Sequence, residues 1–191
     1  MLFIILMRIG CIGWGSLIWK PGDLLVDKNW RDDGPQLPIE FLRTSQDGRL
    51  TLVICDLFPV ISTYWSLMTT SNIPEAIESL RDRENCPTAK PIGMLKRLDL
   101  VPENAVKKTI HSWLQSKDID AVIWTNLGPK FNDERGRIAT VEEALDYLSN
   151  LSLKEQELAE EYVRKAPGKV ATVYRSKFEE AFGWVPIYPV R

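Results

Sequence analysis

Two segments of the chain hold residue types that can do chemistry together. The first is Gly13-Trp14-Gly15-Ser16-Leu17. Its small residues let backbone N–H groups converge on an anion, and the Ser16 hydroxyl adds a donor. The second runs from Pro74 to Asn85 and carries Glu84. Ile73, Ala76, Ile77 and Leu80 follow helical spacing there, and continuing that stripe reaches Glu84, while Glu75, Glu78 and Asp82 fall off it. A carboxylate that continues an apolar face makes a usable base, because burial disfavours its charge. Each segment also has a plainer reading. The glycines serve a tight turn equally well, and Glu84 can pair with Arg81 or a lysine at a frayed helix end.

Other chemistries find little support. Gly13-x-Gly15 places Ile18 where a dinucleotide loop needs Gly or Ala, and Trp19-Lys20-Pro21-Gly22 does not open a helix. The single histidine, His111, cannot build a multi-histidine metal site. It flanks the stripe Val106, Ile110, Trp113 and Leu114, so a surface or boundary position is expected. Cys11, Cys55 and Cys86 are far apart with no CxxC pair, which points to neither zinc nor a disulfide framework and fits a reducing, cytoplasmic compartment. Cys86 as a nucleophile lacks a base partner. Glu40 is a second carboxylate in an apolar run. It can bind a substrate ammonium or pair with Arg43, and the pair is the simpler expectation.

The elements that must position these residues are legible in outline. The 191 residues carry 24 Lys/Arg against 26 Asp/Glu, a net charge of −2, with 45% hydrophobic and 26% charged residues. That is an ordinary globular composition without the basic stripe of a nucleic-acid binder. Strands are expected over 7–13, 38–44, 50–56, 60–67 and 119–125, with a hairpin turn at Gln46-Asp47-Gly48. Helices are expected over 74–85 and 102–116. Capping boxes at Thr140/Glu143 and Ser152/Glu155 open two more, Pro167-Gly168 closes the second of these, and 171–182 forms a last helix. Strands early and helices late make an α+β domain. Of the seven tryptophans, Trp14, Trp19, Trp30 and Trp65 fall in or near the first segment's surroundings. Trp113, Trp124 and Trp184 read as packing residues.

Gly13-Trp14-Gly15-Ser16-Leu17-Ile18-Trp19-Lys20-Pro21-Gly22 resembles the YGSL-type loop of the gamma-glutamylcyclotransferase-like superfamily, most nearly its ChaC-type branch. Arg49-Leu50-Thr51-Leu52-Val53 and Pro59-Val60-Ile61-Ser62-Thr63-Tyr64 resemble that family's next strands. Leu80-Arg81-Asp82-Arg83-Glu84 resembles its Leu-x-x-Arg-Glu element. The likeness spans roughly residues 7–85. Trp14 stands where the family has Tyr, Pro59 where it has Gly, and 34–43 is not the typical ChaC loop.

The resemblance implies a small mixed β-barrel or sheet with flanking helices over 1–136, and a helical C-terminal extension over 137–191 packed on the same domain. It implies an enzyme, a lyase or acyltransferase, that releases 5-oxoproline from a γ-glutamyl peptide or amine, as in glutathione metabolism. Glu84 would be the acid/base, and Gly13, Trp14, Gly15, Ser16 and Leu17 would hold the substrate. No metal, cofactor, nucleic acid or membrane enters such a reaction. A non-catalytic small-molecule or peptide-binding protein on the same fold is the other reading.

Met1 to Leu6 are apolar but too short to span a bilayer and lack a basic lead. Met7-Arg8-Ile9-Gly10 reads as the start of the first core strand, with Met7 a plausible natural start. A chain beginning at Met7 is therefore expected to fold and melt like the full chain. Loss of the cooperative melt on that truncation would contradict this.

Overall fold

The computed structural model describes residues 6–187. Residues 1–5, most of the segment expected to be dispensable, lie outside them. In chain order the first elements are β1 (Ile9–Gly13), β2 (Gln36–Thr44), β3 (Leu50–Ile54), β4 (Val60–Ser62), β5 (Tyr64–Leu67) and α1 (Ile73–Arg83). Then follow β6 (Ile92–Lys96), α2 (Ala105–Gln115), β7 (Ala121–Thr125), β8 (Lys130–Phe131), β9 (Glu134–Arg135), α3 (Val141–Ser149), α4 (Leu153–Lys165) and α5 (Val173–Phe182). The fold is α+β, with two mixed sheets, neither of which closes into a barrel. Among the described residues no helix is long and apolar enough to cross a membrane.

The chain divides into two compact units that interleave along the sequence. One takes the residues up to Gly13, Lys20–Gln36 and Thr63–Asn126. The other takes Trp14–Trp19, Leu37–Ser62 and everything from Leu127 on.

The first unit is built on the sheet β5-β1-β7-β6. β1 pairs in parallel with β7 and antiparallel with β5, and β6 is antiparallel to β7. Every residue of β1 is buried, as is all of β7 but its last residue. This is why both read as unbroken apolar runs rather than alternating ones. Helix α1 packs on β6 and β7, and α2 on β6. Asn72 caps α1 by accepting the Glu75 N–H, and Pro74 sits in its first turn, where no N–H is needed.

His111 departs from expectation, being buried at 6% exposure. The turn after β6 folds back onto α2, so the Asp99 carbonyl oxygen lies 3.1 Å from His111 Nε2. Strand β6 is an element that the pattern reading leaves out. Ile92-Gly93-Met94-Leu95 is too short an apolar run to identify alone, and its pairing with β7 decides its conformation.

The second unit is built on the sheet β3-β2-β8-β9, with β4 also paired to β2. The turn at Gln46-Asp47-Gly48 joins β2 to β3, and Gly48 has φ +83°. Both predicted capping boxes form, at Thr140 for α3 and Ser152 for α4. After α4 the buried Arg175 of α5 donates to the carbonyls of Ala166, Pro167 and Val170, which pins the connection between the two helices.

Gly93 faces Trp124 across the β6–β7 pair, and Trp124 is fully buried. A β-carbon added at Gly93 would lie 2.2 Å from the indole. Gly93→Ala is therefore expected to lower stability by about 1–3 kcal/mol through overpacking. Gly128→Ala, where an added β-carbon meets nothing within 4 Å, serves as the control. Chemical denaturation of the two variants checks this, and equal midpoints would contradict it.

Candidate functional site

Glu84 occupies the C-cap of α1, one position past the helix's last residue. Ala76 and Leu80 are buried on the face that leads to it, so the i, i+4, i+8 row places its carboxylate at the edge of the first unit's core. The side chain is 18% exposed, and its Oε1 accepts from Arg83 Nη1 at 2.9 Å. The sequence suggested Arg81 or a lysine as partner, and the structure supplies Arg83. Arg81 instead pairs with Glu78 and Asp82 on the outer side of α1.

Arg83 has a second task, because its Nε and Nη2 donate to the Lys20 carbonyl at 3.2 and 2.9 Å. One planar guanidinium thus fixes both the Glu84 carboxylate and the backbone just after Trp19. Asn85 then turns the chain away with φ +50°.

The Glu84 charge acts on β1. Burial first, and the Glu84 charge second, push the Cys11 thiol far up from its ordinary value, while the Arg83 charge opposes them. Glu84 therefore stands within electrostatic reach of Cys11, two residues before Gly13 closes the strand. Within this unit Glu84 is thus tied to β1 through Cys11, and Arg83 ties it to the Lys20 backbone. Cys11, held as a neutral buried thiol, is a packing residue there.

Trp14 to Leu17 follow Gly13 directly and belong to the second unit. The Ile18 N–H donates to the Gly15 carbonyl at 3.0 Å and closes a turn over Gly15 to Ile18. Among the described residues positive φ occurs elsewhere, so the turn contains no left-handed residue. Trp14 is buried at 5% exposure and donates its Nε1 to the Leu52 carbonyl at 3.1 Å. Its indole anchors the loop to β3. Gly15 is required by a close approach, since an added β-carbon would sit 2.5 Å from the Tyr162 hydroxyl.

Tyr162 is the neighbour of the candidate loop that pattern reading passes over. The one signal for it is that α4 holds a single aromatic, on the face shared with Ala159 and Val163. Arg83 is missed for a different reason. A charged residue beside a charged residue at a helix end reads as solvated surface.

Glu40 is fully buried, and its partners differ from the expected Arg43. Its Oε1 accepts from the Phe41 N–H at 2.8 Å and from the Thr172 hydroxyl at 2.5 Å, and its Oε2 accepts the Tyr174 N–H at 3.0 Å. Thr172 is the N-cap of α5, so Glu40 completes the cap from another strand and faces the positive end of that helix. Arg43 donates its Nη1 to the Gly128 carbonyl at 2.9 Å. A substrate ammonium would have to displace three hydrogen bonds to use Glu40, which makes it a structural carboxylate. Burial and then the Glu40 charge push the Tyr174 phenol up to about 12. A cleft of about 290 Å³ opens elsewhere on this unit, against Leu148, Leu153, Phe182 and Trp184, and none of the predicted site residues lines it.

Burial raises the Glu40 pKa above the ordinary carboxylate value, and the bonds from Thr172, Phe41 and Tyr174 oppose that rise. The folded state then binds the proton more tightly than the unfolded state. This contribution to stability is complete below the unfolded value and is lost as pH rises through the folded one. The stability of the parent relative to Glu40→Gln is expected to fall as pH rises from about 4 to 7. Denaturant titrations at several pH values check this, and a difference that grows with pH would contradict it. Shared carboxylates cancel in the comparison. Searches with this chain against family models, curated proteins and solved structures find no match.

Proposed function

We propose that this chain is a gamma-glutamyl cyclotransferase that releases 5-oxoproline from a γ-glutamyl peptide or amine. Glu84 acts as acid and base, and the Trp14–Leu17 loop holds the substrate's α-carboxylate. The observation that carries the reading is the placement of Glu84. It is a largely shielded carboxylate, 18% exposed, paired with Arg83 and within electrostatic reach of Cys11 in β1.

The reaction needs few parts. The free α-amine attacks its own γ-carbonyl, a C–N bond forms in the five-membered lactam, and the original γ-amide C–N bond breaks. The ammonium proton passes to Glu84 and from there to the departing amine, so the carboxylate ends as it began. Because nucleophile and electrophile belong to one molecule, the chief demand is that the substrate be held bent with both ends close. In this reading the donors to the α-carboxylate are backbone N–H groups of the Gly15–Ile18 turn. The Ser16 hydroxyl lies beside them in the chain. Charge-assisted bonds from such donors to a carboxylate are the stronger kind.

Glu84→Gln keeps the size of the side chain and removes its proton-accepting charge. It is expected to lower 5-oxoproline release by at least about 100-fold, the usual worth of a general acid–base, with an unchanged melting curve. Activity would be measured on a panel of γ-glutamyl peptides and amines. Full activity in the Gln variant would refute the assignment of Glu84. Absence of 5-oxoproline from the parent across the panel, with ligand binding retained, would favour the binding-protein reading.

A further inference from the structure

Tyr162 stands on the buried face of α4 at 6% exposure. Its ring meets Trp19 edge-on at 5.3 Å and Phe41 at 6.2 Å between centroids, and the Arg49 guanidinium carbon lies 5.3 Å from the ring centre. Its hydroxyl accepts the Leu52 N–H at 3.4 Å and lies against Gly15. Leu52 gives its carbonyl to Trp14 Nε1. A single residue of β3 therefore binds both Trp14 and Tyr162, and Tyr162 in turn is packed by Gly15 and Trp19. The segment 14–19 is held at its start by Trp14, in the middle by Gly15 and at its end by Trp19.

We propose that Tyr162 is a positioning residue for the substrate loop. From α4 it holds the Trp14–Leu17 turn in the one conformation that receives the substrate's α-carboxylate, which makes the C-terminal helices part of substrate recognition. This rests on the reading of Trp14–Leu17 as the carboxylate loop. A turn rich in glycine has many conformers of similar energy, and a loop ordered in advance does not lose that freedom when the ligand arrives. The ring contacts supply the order. The hydroxyl sets the register, because it fills the space that any side chain at position 15 would need.

The test is a double-mutant cycle with a kinetic readout beside it. Gly15→Ala in the parent places the new methyl 2.5 Å from the hydroxyl oxygen. It is expected to lower the folding equilibrium constant by roughly 5- to 100-fold. In Tyr162→Phe the nearest ring carbon lies 3.5 Å away, an ordinary contact. There the same change is expected to cost less than about threefold, a coupling read from denaturant titrations. Additive costs overturn the docking.

In steady-state 5-oxoproline release, Tyr162→Phe is expected to raise KM at least about threefold with kcat unchanged, since losing the register set by the hydroxyl weakens ground-state and transition-state binding alike. A fall in kcat with KM unchanged, or unaltered kinetics, overturns the positioning role. A parent chain that releases no 5-oxoproline overturns the reading of the loop, whatever the cycle shows. The two failures are thereby told apart.

Discussion

The second unit depends on the need to satisfy the outer edge of β3. This strand ends its sheet, and Leu52 is buried at 5% exposure. Its N–H and carbonyl would cost free energy if left without partners. The chain answers with side chains: the Trp14 indole takes the carbonyl and the Tyr162 hydroxyl takes the N–H. An edge capped in this way offers less template for pairing with another strand. It also joins a loop from the start of the chain to a helix from near its end, over 148 positions of sequence, by contacts that are local in space.

The first unit solves a comparable problem with charge. The end of α1 brings a carboxylate and the loop at Lys20 a carbonyl, and Arg83 meets both with one rigid group. It pairs with Glu84 and donates to Lys20. Both partners are held because the guanidinium presents several donors in a fixed plane, which lysine could not do. Glu40 shows the opposite use of a carboxylate. It is buried completely, its oxygens are occupied by the first turn of α5, and its charge faces the helix's positive end. Glu40 in an apolar run and Glu84 at the end of an apolar helix stripe both read in sequence as candidate buried carboxylates. Only one of them has a face that a ligand could reach.

Much of the secondary structure was legible because its signals are local. Pro74 marks the start of α1, the two capping boxes mark α3 and α4, and Asp47-Gly48 marks the hairpin. The buried parallel pair β1 and β7 appears as two continuous apolar runs. The short strands β6, β8 and β9 were not legible: β8 and β9 have two residues each, and β6 is largely half-buried with Gly93 inside it, so that pairing rather than pattern extends them. His111 was misplaced for a related reason. Periodicity locates it beside the stripe of α2, but the turn that buries it comes from a different part of the chain.

By itself the sequence determined the class of the fold and the positions of most helices and early strands, and it marked two segments as candidates for chemistry. These follow from propensity, capping and spacing, which act within a few residues. The tertiary structure alone decided which charged groups became partners, that Glu40 is part of the frame, and that Tyr162 and Arg83 belong beside the candidate site residues. It also decided that the chain forms two interleaved units. The physical reason is the same in each case. A buried polar group must find its complement wherever folding brings one, and that partner is set by packing over distances no local pattern records.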